Sequence, residues 1–375
     1  MFVPVSRPLL GKEETELVMD VMSRGEISGF SGSRIKEFET RFAEFCGTSH
    51  AVTVSSGTAA LHLALATLRI GLGDEVLVST FTNMATFFAV LYQGATPIPI
   101  DMEAHTLNMD PRLLEQKITP RTKAILPVHL FGHPVNMDPV LDVARRHNLF
   151  VIEDAAEAHG ATYKGKRVGS LGDIGCFSFY ANKIVTTGEG GMVTTNRPEL
   201  AERARMLKSL AFGTENKFMH QDVGYNYRLT NLQAAVGVAQ MGKIDDILRR
   251  KKEMAAYYLR ELAGISAIQL PVEEPYASNV YWMFNIVLRG PLSGKRTAFM
   301  AALKERGVET REDFVPFNLQ DIFIARGLTK PEDCPVANDI SKDGLYLPSG
   351  TDISEPELAH VVASVREVVT ALGVA

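Results

Sequence analysis

From residue 50 onward the chain alternates short β-branched runs with helix-forming runs, and this rhythm restricts the fold more than any other feature. The pattern predicts strands over 51–54, 75–79, 96–100, 122–128 and 150–152, with helices over 59–68, 84–92 and 137–147 between them. Strands alternating with helices build a mostly parallel sheet covered by crossover helices. Ligands in such sheets bind where strands end at their carboxyl edge. Three distinctive stretches fall at such ends: Ser56-Gly57-Thr58, Glu153-Asp154, and the run that delivers Lys183.

The flanks complete an α/β chain. Residues 1–10 read as an extended arm with two prolines, and helical periodicity covers 12–22 and 34–46. The loop 25–33 is too rich in Gly and Ser to be an element, and reads as a connector or a substrate-contacting loop. Past Met192 come a helix over 199–210, a polar stretch over 213–222 expected to be mobile, and an aromatic loop, Gly224-Tyr225-Asn226-Tyr227-Arg228. The longest helical run, 231–262, is expected to carry the chain from a large domain (1–240, including the arm) into a small one (241–375). A strand over 280–288 and helices over 297–306 and 356–372 make that second part α+β. A length of 375 residues suffices for two such cores.

Composition narrows the partners. With 46% hydrophobic and 22% charged residues the chain is not a disordered one. A net charge of −5 without a basic block argues against nucleic acid. Cys46, Cys176 and Cys334 lie far apart with no CxxC spacing, so neither a metal site nor a disulfide framework is expected. No signal-like apolar core opens the chain and no apolar run would span a bilayer, which points to no membrane and a reducing cytoplasm.

The apolar run 176–180 reads as a buried strand ending in a Thr- and Gly-rich turn that contains Lys183. A lysine there is costly to desolvate, so its amine deprotonates more readily than a surface amine, as Schiff-base chemistry requires. Ser55-Ser56-Gly57-Thr58 lies between a strand and a helix, where free N–H groups and hydroxyls can cradle a phosphate. The same turn could equally be a plain N-cap. Asp154 closes a buried strand and could hold a protonated heterocyclic nitrogen, the arrangement pyridoxal 5'-phosphate (PLP) needs; capping the next segment is the other reading. Glu157 could face a ring oxygen. His129 and His159 read as structural or site-wall residues, since no metal-ligand spacing joins them. A phosphate cradle, an acidic strand end and a downstream lysine, in that order, suit a PLP enzyme.

These residues resemble the DegT/DnrJ/EryC1/StrS sugar aminotransferases, enzymes of PLP-dependent transferase fold type I. The likeness is carried by Ser55-Ser56-Gly57-Thr58-Ala59-Ala60-Leu61, Pro127-Val128-His129-Leu130-Phe131-Gly132, Glu153-Asp154-Ala155-Ala156-Glu157-Ala158, Gly188-Glu189-Gly190-Gly191-Met192 and Gly224-Tyr225-Asn226-Tyr227-Arg228-Leu229-Thr230-Asn231. Within the family the run 177–183 is most similar to GDP-perosamine synthases, where Asn precedes the lysine. The resemblance implies that Lys183 binds the cofactor covalently and shuttles the proton. It implies that Asp154 pairs with the pyridinium nitrogen and Glu157 faces the phenolic oxygen. Gly57, Thr58 and Ser178 would bind the phosphate, with Asn226 reaching it from the neighbouring subunit of a homodimer with shared sites. Asn83 stands where relatives commonly stack an aromatic ring on PLP, so either Asn83 covers the ring or Phe87 or Phe88 takes over. Ser28 in the loop 26–30, His129, Arg228, and Arg311 and Asn318 in the stretch 311–318 fall where substrate contacts are implied, with a place in the dimer interface as the other reading of Arg228.

The activity implied is amino transfer from L-glutamate to a nucleotide-linked 4-keto-6-deoxyhexose. Amination at C3 is the near alternative. A sugar dehydratase of the same family would have His in place of Lys183. A non-catalytic PLP-binding regulator fits poorly with a complete Lys183, Asp154 and Asn226 set. A dinucleotide oxidoreductase lacks its fingerprint, since no G-x-G-x-x-G follows the first strand.

Overall fold

Aliphatic runs bounded by Gly, Asp and Ser become strands because their side chains are buried on both faces of a sheet. In the computed structural model, which describes residues 1–213, 215–220 and 222–373, helices α1 (Lys12–Ser23) and α2 (Arg34–Cys46) precede that sheet. Then follow β1 (His50–Val54), α3 (Gly57–Thr67), β2 (Glu75–Ser79), α4 (Ala85–Tyr92), β3 (Thr96–Ile100), β4 (Thr122–Leu126), α5 (Met137–His147) and β5 (Phe150–Asp154). A short hairpin, β6 (Thr162–Tyr163) and β7 (Lys166–Arg167), leads to β8 (Ile174–Ser178) and β9 (Gly191–Thr195). The seven-stranded sheet has the order β1-β9-β8-β5-β4-β2-β3. Strands β8, β5, β4, β2 and β3 pair in parallel, and only β9 runs against its neighbours β1 and β8. This is the mixed but largely parallel α/β sheet of fold type I. Strand and helix ends differ from expectation by a residue or two at most boundaries, which is how helices and strands fray.

Helix α3 is buried along nearly its whole length, from Ala59 to Thr67. It lies between the sheet and α4 and α6 (Pro198–Leu207). Helix α2 turns Phe38, Phe42, Ala43 and Cys46 inward, and Phe42 packs edge-on to Phe177 and Phe179. The first two helices therefore close one side of the sheet directly behind the strand that leads to Lys183.

The predicted helix over 231–262 is two helices, α7 (Asn231–Gly242) and α8 (Ile244–Leu262). The break falls at Lys243, with φ −124° and ψ 15°, and Asp245 and Asp246 begin a new first turn where acidic groups favour the helix dipole. Tertiary contacts explain the break. Helix α7 packs on α1 and α2, with Lys243 paired to Glu14 at 2.7 Å, whereas α8 turns away to pack on α12 (Glu355–Ala371). Before that last helix come β10 (Ile268–Gln269), β11 (Ala277–Ser278), β12 (Phe284–Leu288), α9 (Arg296–Glu305), β13 (Arg311–Glu312), α10 (Asp321–Ile324), α11 (Pro335–Asp343) and β14 (Gly344–Leu347). A four-stranded antiparallel sheet, β10-β12-β14-β13, holds a separate core with α8, α9 and α12. Val3 of the N-terminal arm joins that core and bridges to Val308.

The strand expected over 280–288 begins only at Phe284. Tyr281 takes φ 49°, a left-handed turn that redirects the chain just before Trp282. Within the polar stretch 213–222, Thr214 and Gln221 lie outside the described residues.

Candidate active site

Parallel strands align their carboxyl ends, so the turns after β1, β2, β5 and β8 meet at one edge of the sheet. They line a cleft of about 400 Å³ together with residues of the C-terminal unit. Gly57, Thr58, Asn83, Asp154, Glu157, Ser178, Lys183 and Arg311 all line it, so eight of the residues picked out by sequence converge there.

At the first turn, Ser56 caps α3, its hydroxyl accepting from the Ala59 N–H at 3.1 Å. The first N–H groups of a helix have no acceptor within it, which leaves this end suited to an anion. Gly57 is required by space: a Cβ there would stand 2.7 Å from the Ser178 Cβ. A glycine, two hydroxyls and a helix N-terminus thus form a concave, oxyanion-sized cradle that any larger side chain at residue 57 would fill.

At the end of β5, Asp154 is buried and accepts from the Thr86 hydroxyl at 2.8 Å and the Ala156 N–H at 3.2 Å. Burial pushes its pKa up, against the pull of Thr86, Ala156 and Lys183. A carboxylate so enclosed is suited to a cationic N–H partner. Glu157 accepts from the Phe131 N–H at 2.9 Å, Phe131 being turned to φ 52°. Burial pushes the Glu157 carboxyl up to about 7, with Lys183 and the Phe131 N–H opposing.

Lys183 sits one turn beyond β8, its side chain only 11% exposed. Its Nζ is 3.8 Å from Glu157 Oε1 and 3.7 Å above the ring of Trp282. Burial lowers its pKa, while Glu157 and Asp154 hold it up. The Thr/Gly segment after it is knotted to the strand: the Phe179 N–H donates to Gly190 O at 2.8 Å, and the Thr186 hydroxyl to Phe179 O at 3.1 Å. Gly188 and Gly190 take φ 81° and 151°, conformations that favour glycine, and Gly191 opens strand β9 rather than a helix.

Other expected positions are corrected. His129 is fully buried away from the cleft: its Nδ1 accepts from the Val135 N–H and its Nε2 donates to Glu153, each at 3.1 Å. Both ring nitrogens are used, so no substrate contact is left to it. Asn318 is likewise buried, joined to Thr80, Pro331 and Asn338, and braces two loops. Phe87 stacks on Phe317 at 4.0 Å inside the core, and Phe88 packs against Tyr92 and Phe323. Neither can cover a cofactor ring. Asn83 does line the cleft, its Oδ1 accepting from the Ala85 N–H at 3.0 Å. Ser28 lies in an exposed turn bonded to Ser31, and Arg228 lies over Phe30 at 4.7 Å; neither lines this cleft. Asn226 is exposed, between Tyr225 and Tyr227, whose rings stack at 5.1 Å.

Sequence reasoning missed Thr86 and Trp282. Thr86 is the second residue of α4, three positions past Asn83, and that spacing could have drawn attention to it. Trp282, the chain's single tryptophan, carried no spacing signal at all. Thr86→Val should make Asp154 harder to ionise and weaken PLP binding about tenfold, the usual range for a hydrogen bond to a charged group. The loss should be larger at pH 6 than at pH 8, because a further-raised carboxyl pKa costs charge on the acid side. Quenching of Trp282 fluorescence during PLP titration measures it, and an affinity equal to that of the unaltered protein at both pH values refutes it.

An anion cradle, a buried carboxylate and a desolvated lysine around one cleft define a PLP-dependent enzyme of fold type I. Residues 8–366 match the model of the DegT/DnrJ/EryC1/StrS aminotransferase family. The chain is 42% identical over 367 residues to the GDP-perosamine synthase of Caulobacter vibrioides, covering 98% of both chains. It is 41% identical to the dTDP-3-amino-3,4,6-trideoxy-alpha-D-glucose transaminase of Streptomyces venezuelae, over 90% of this chain and 87% of that one. Among solved structures it superposes on Spr1654 of Streptococcus pneumoniae in its PLP-form with TM-score 0.94 at 27% identity, covering 99% of this chain and all of that one. The chain belongs to the DegT/DnrJ/EryC1/StrS aminotransferase family and is a PLP-dependent sugar aminotransferase.

Proposed function

We propose that the protein moves an amino group from L-glutamate to a GDP-linked 4-keto-6-deoxyhexose. The observation that carries the reading is Lys183, a desolvated amine 3.8 Å from a buried glutamate, facing a cleft with Asp154 at its back. PLP, when bound, supplies the electron sink that makes a carbon-bound proton removable. Gly57, Thr58 and Ser178 would hold its phosphate, Asp154 its ring nitrogen and Glu157 its phenolic oxygen, with Asn83 on the wall of the same cleft. Lys183 Nζ would hold the cofactor and, once free, take up and give back a proton, a task that calls for an amine pKa lowered toward neutrality. Arg311, on the rim, meets the anionic substrate. The acceptor is argued from the whole-length likeness to GDP-perosamine synthases and from Asn182 preceding the lysine.

In the same reading two chains share each site. Asn226 is presented outward from a pair of stacked tyrosines and completes the phosphate site of the neighbouring subunit. The cleft lies between a large unit over 1–240 and a small one over 241–375. Three buried free thiols suit a cytoplasmic setting, and none of the described helices is long and apolar enough to cross a membrane.

The test is the visible spectrum of the PLP-loaded protein through successive additions of L-glutamate and GDP-4-keto-6-deoxymannose. Bleaching by glutamate and recovery with the sugar is the expected result. Bleaching without recovery would reject that acceptor and send the search to dTDP-linked 3-keto sugars, as the Streptomyces relative suggests. A protein that takes up no PLP would reject the whole reading.

A further inference from the structure

Trp282 is bound to Lys183 by two independent contacts. Its ring lies under the amine, 3.7 Å from Nζ to the ring centre. Its Nε1–H donates to the carbonyl of Asn182 at 2.8 Å, the peptide that bears Lys183. The tryptophan is itself fixed. It is 5% exposed, its ring stacks 6.5 Å from Phe131, and its carbonyl accepts from Lys251 Nζ at 2.8 Å. Lys251 is a fully enclosed lysine of α8 that donates its remaining reach to Ser349 O rather than to any carboxylate. Burial pushes that amine's pKa down to about 7, and its two carbonyl acceptors tie Trp282 to the Ser349 turn.

We propose that Trp282 is the positioning residue for Lys183: its indole face seats the ε-ammonium whenever the amine is free, and its N–H fixes the backbone from which that amine swings. This rests on Lys183 being the cofactor lysine. The physical logic is a division of labour between two partners of one amine. Glu157, on one side, is a carboxylate whose pKa is pushed up to about 7, so its hold on the ammonium fades near neutrality. The indole face does not titrate, and it attracts a cation through its quadrupole with little desolvation cost. An amine that must be released, protonated and returned within one turnover thereby keeps a fixed seat in each state.

The charged and titratable groups around Lys183 come from several elements. Burial lowers its pKa, while Glu157 and Asp154, the last residue of β5, raise it; the enclosed His159, pushed down to about 3 by burial, adds no charge. Glu189, Tyr180, Tyr346 and Arg311 share the cleft, and Arg7 and Lys251 flank a small cavity on its other side. A pH shift can be assigned to the ring only by changing the ring alone. The chain allows this because it has one tryptophan. Biosynthetic replacement by mono-, di- and trifluorotryptophan weakens the negative face step by step while keeping the indole shape and N–H.

The readout is the rate at which the apoprotein takes up PLP as a function of pH, whose rising limb reports deprotonation of the amine. Weakening the ring removes support for the ammonium, so the limb should move to lower pH progressively, by about one unit over the series. Trp282→Leu should give a shift of similar size together with a kcat reduced about tenfold, since the amine also loses its seat. A limb that stays in place across the fluorinated series overturns the proposal, whether or not the leucine variant folds. Borohydride reduction of the loaded protein and peptide mass analysis separates the two readings. A label on another lysine rejects the role of Lys183, whereas a label on Lys183 with an unmoved limb rejects only that of Trp282.

Discussion

Lys183→Ala should lower transamination by at least about 10⁴-fold while leaving the protein able to bind PLP without a covalent link. Two functions vanish with one amine. In the proposed reading the residue anchors the cofactor and carries the proton in both half-reactions. No other amine in the cleft can substitute. Among the described residues that line it, Lys183 is the sole lysine, and Arg311 remains charged at any working pH. The rest of the binding site keeps its shape in this variant, since neither the α3 cradle nor the Thr86 and Ala156 hydrogen bonds of Asp154 involve Lys183, although Asp154 loses the pull of that charge. Glu157 would lose its nearest cation and become still harder to ionise, because burial already holds its pKa at about 7 against the help of Lys183. The measurement is single-turnover conversion of glutamate to 2-oxoglutarate by the PLP-soaked variant. Rates within tenfold of the unaltered protein would remove Lys183 from the reaction. Partial recovery by added methylamine would agree with a missing proton carrier.

Asp154→Asn should cost about 10³-fold in kcat and weaken PLP binding. Removing one charge from a buried ion pair is worth roughly 3–5 kcal/mol, or two to four powers of ten. The substitution nearly preserves shape, and an amide oxygen can still accept from Thr86, so the loss measures charge. The carboxyl is pushed up by burial, so its neutral form arises at a higher pH than for an ordinary aspartate. PLP uptake by the unaltered protein should therefore fall on the acid side as Asp154 gains its proton. The Asn variant, having no proton to gain at residue 154, should lose that contribution and keep only the limb set by deprotonation of the Lys183 amine. Stopped-flow uptake from pH 5 to 8 compares them directly. An acid limb of equal position in both would show that some other group titrates there.

Much of this was legible before any coordinates. The β/α rhythm reported a largely parallel sheet because burial on both faces leaves a continuous aliphatic run in each strand. The ends of those runs placed Ser56, Asp154 and Lys183 at turns, and parallel pairing brings such turns to one edge. Residue chemistry at those ends left alternatives open, and the particular roles were those implied by the resemblance to the sugar aminotransferases. The errors share a cause. His129 and Asn318 looked like site residues because their neighbours in sequence are, yet Val135, Glu153, Pro331 and Asn338 claim their polar atoms. Phe87 and Phe88 are aromatic at the right place along the chain, but their helix turns them into the core. A helical pattern running through 231–262 gives no sign of which partners each half will choose, and the break at Lys243 is decided by α1 and α2 on one side and α12 on the other.

The chain's sequence alone determined the class of sheet and the edge at which Lys183, Asp154 and Glu157 converge, since these depend on local periodicity and on where strands end. Only the tertiary structure decided the strand order that lays β9 between β1 and β8, the Thr86 hydroxyl on Asp154, and the indole of Trp282 beneath an amine 99 positions earlier in the chain. Contacts between residues so far apart arise from packing whole elements together, and no local pattern of hydrophobicity or charge records which elements will meet.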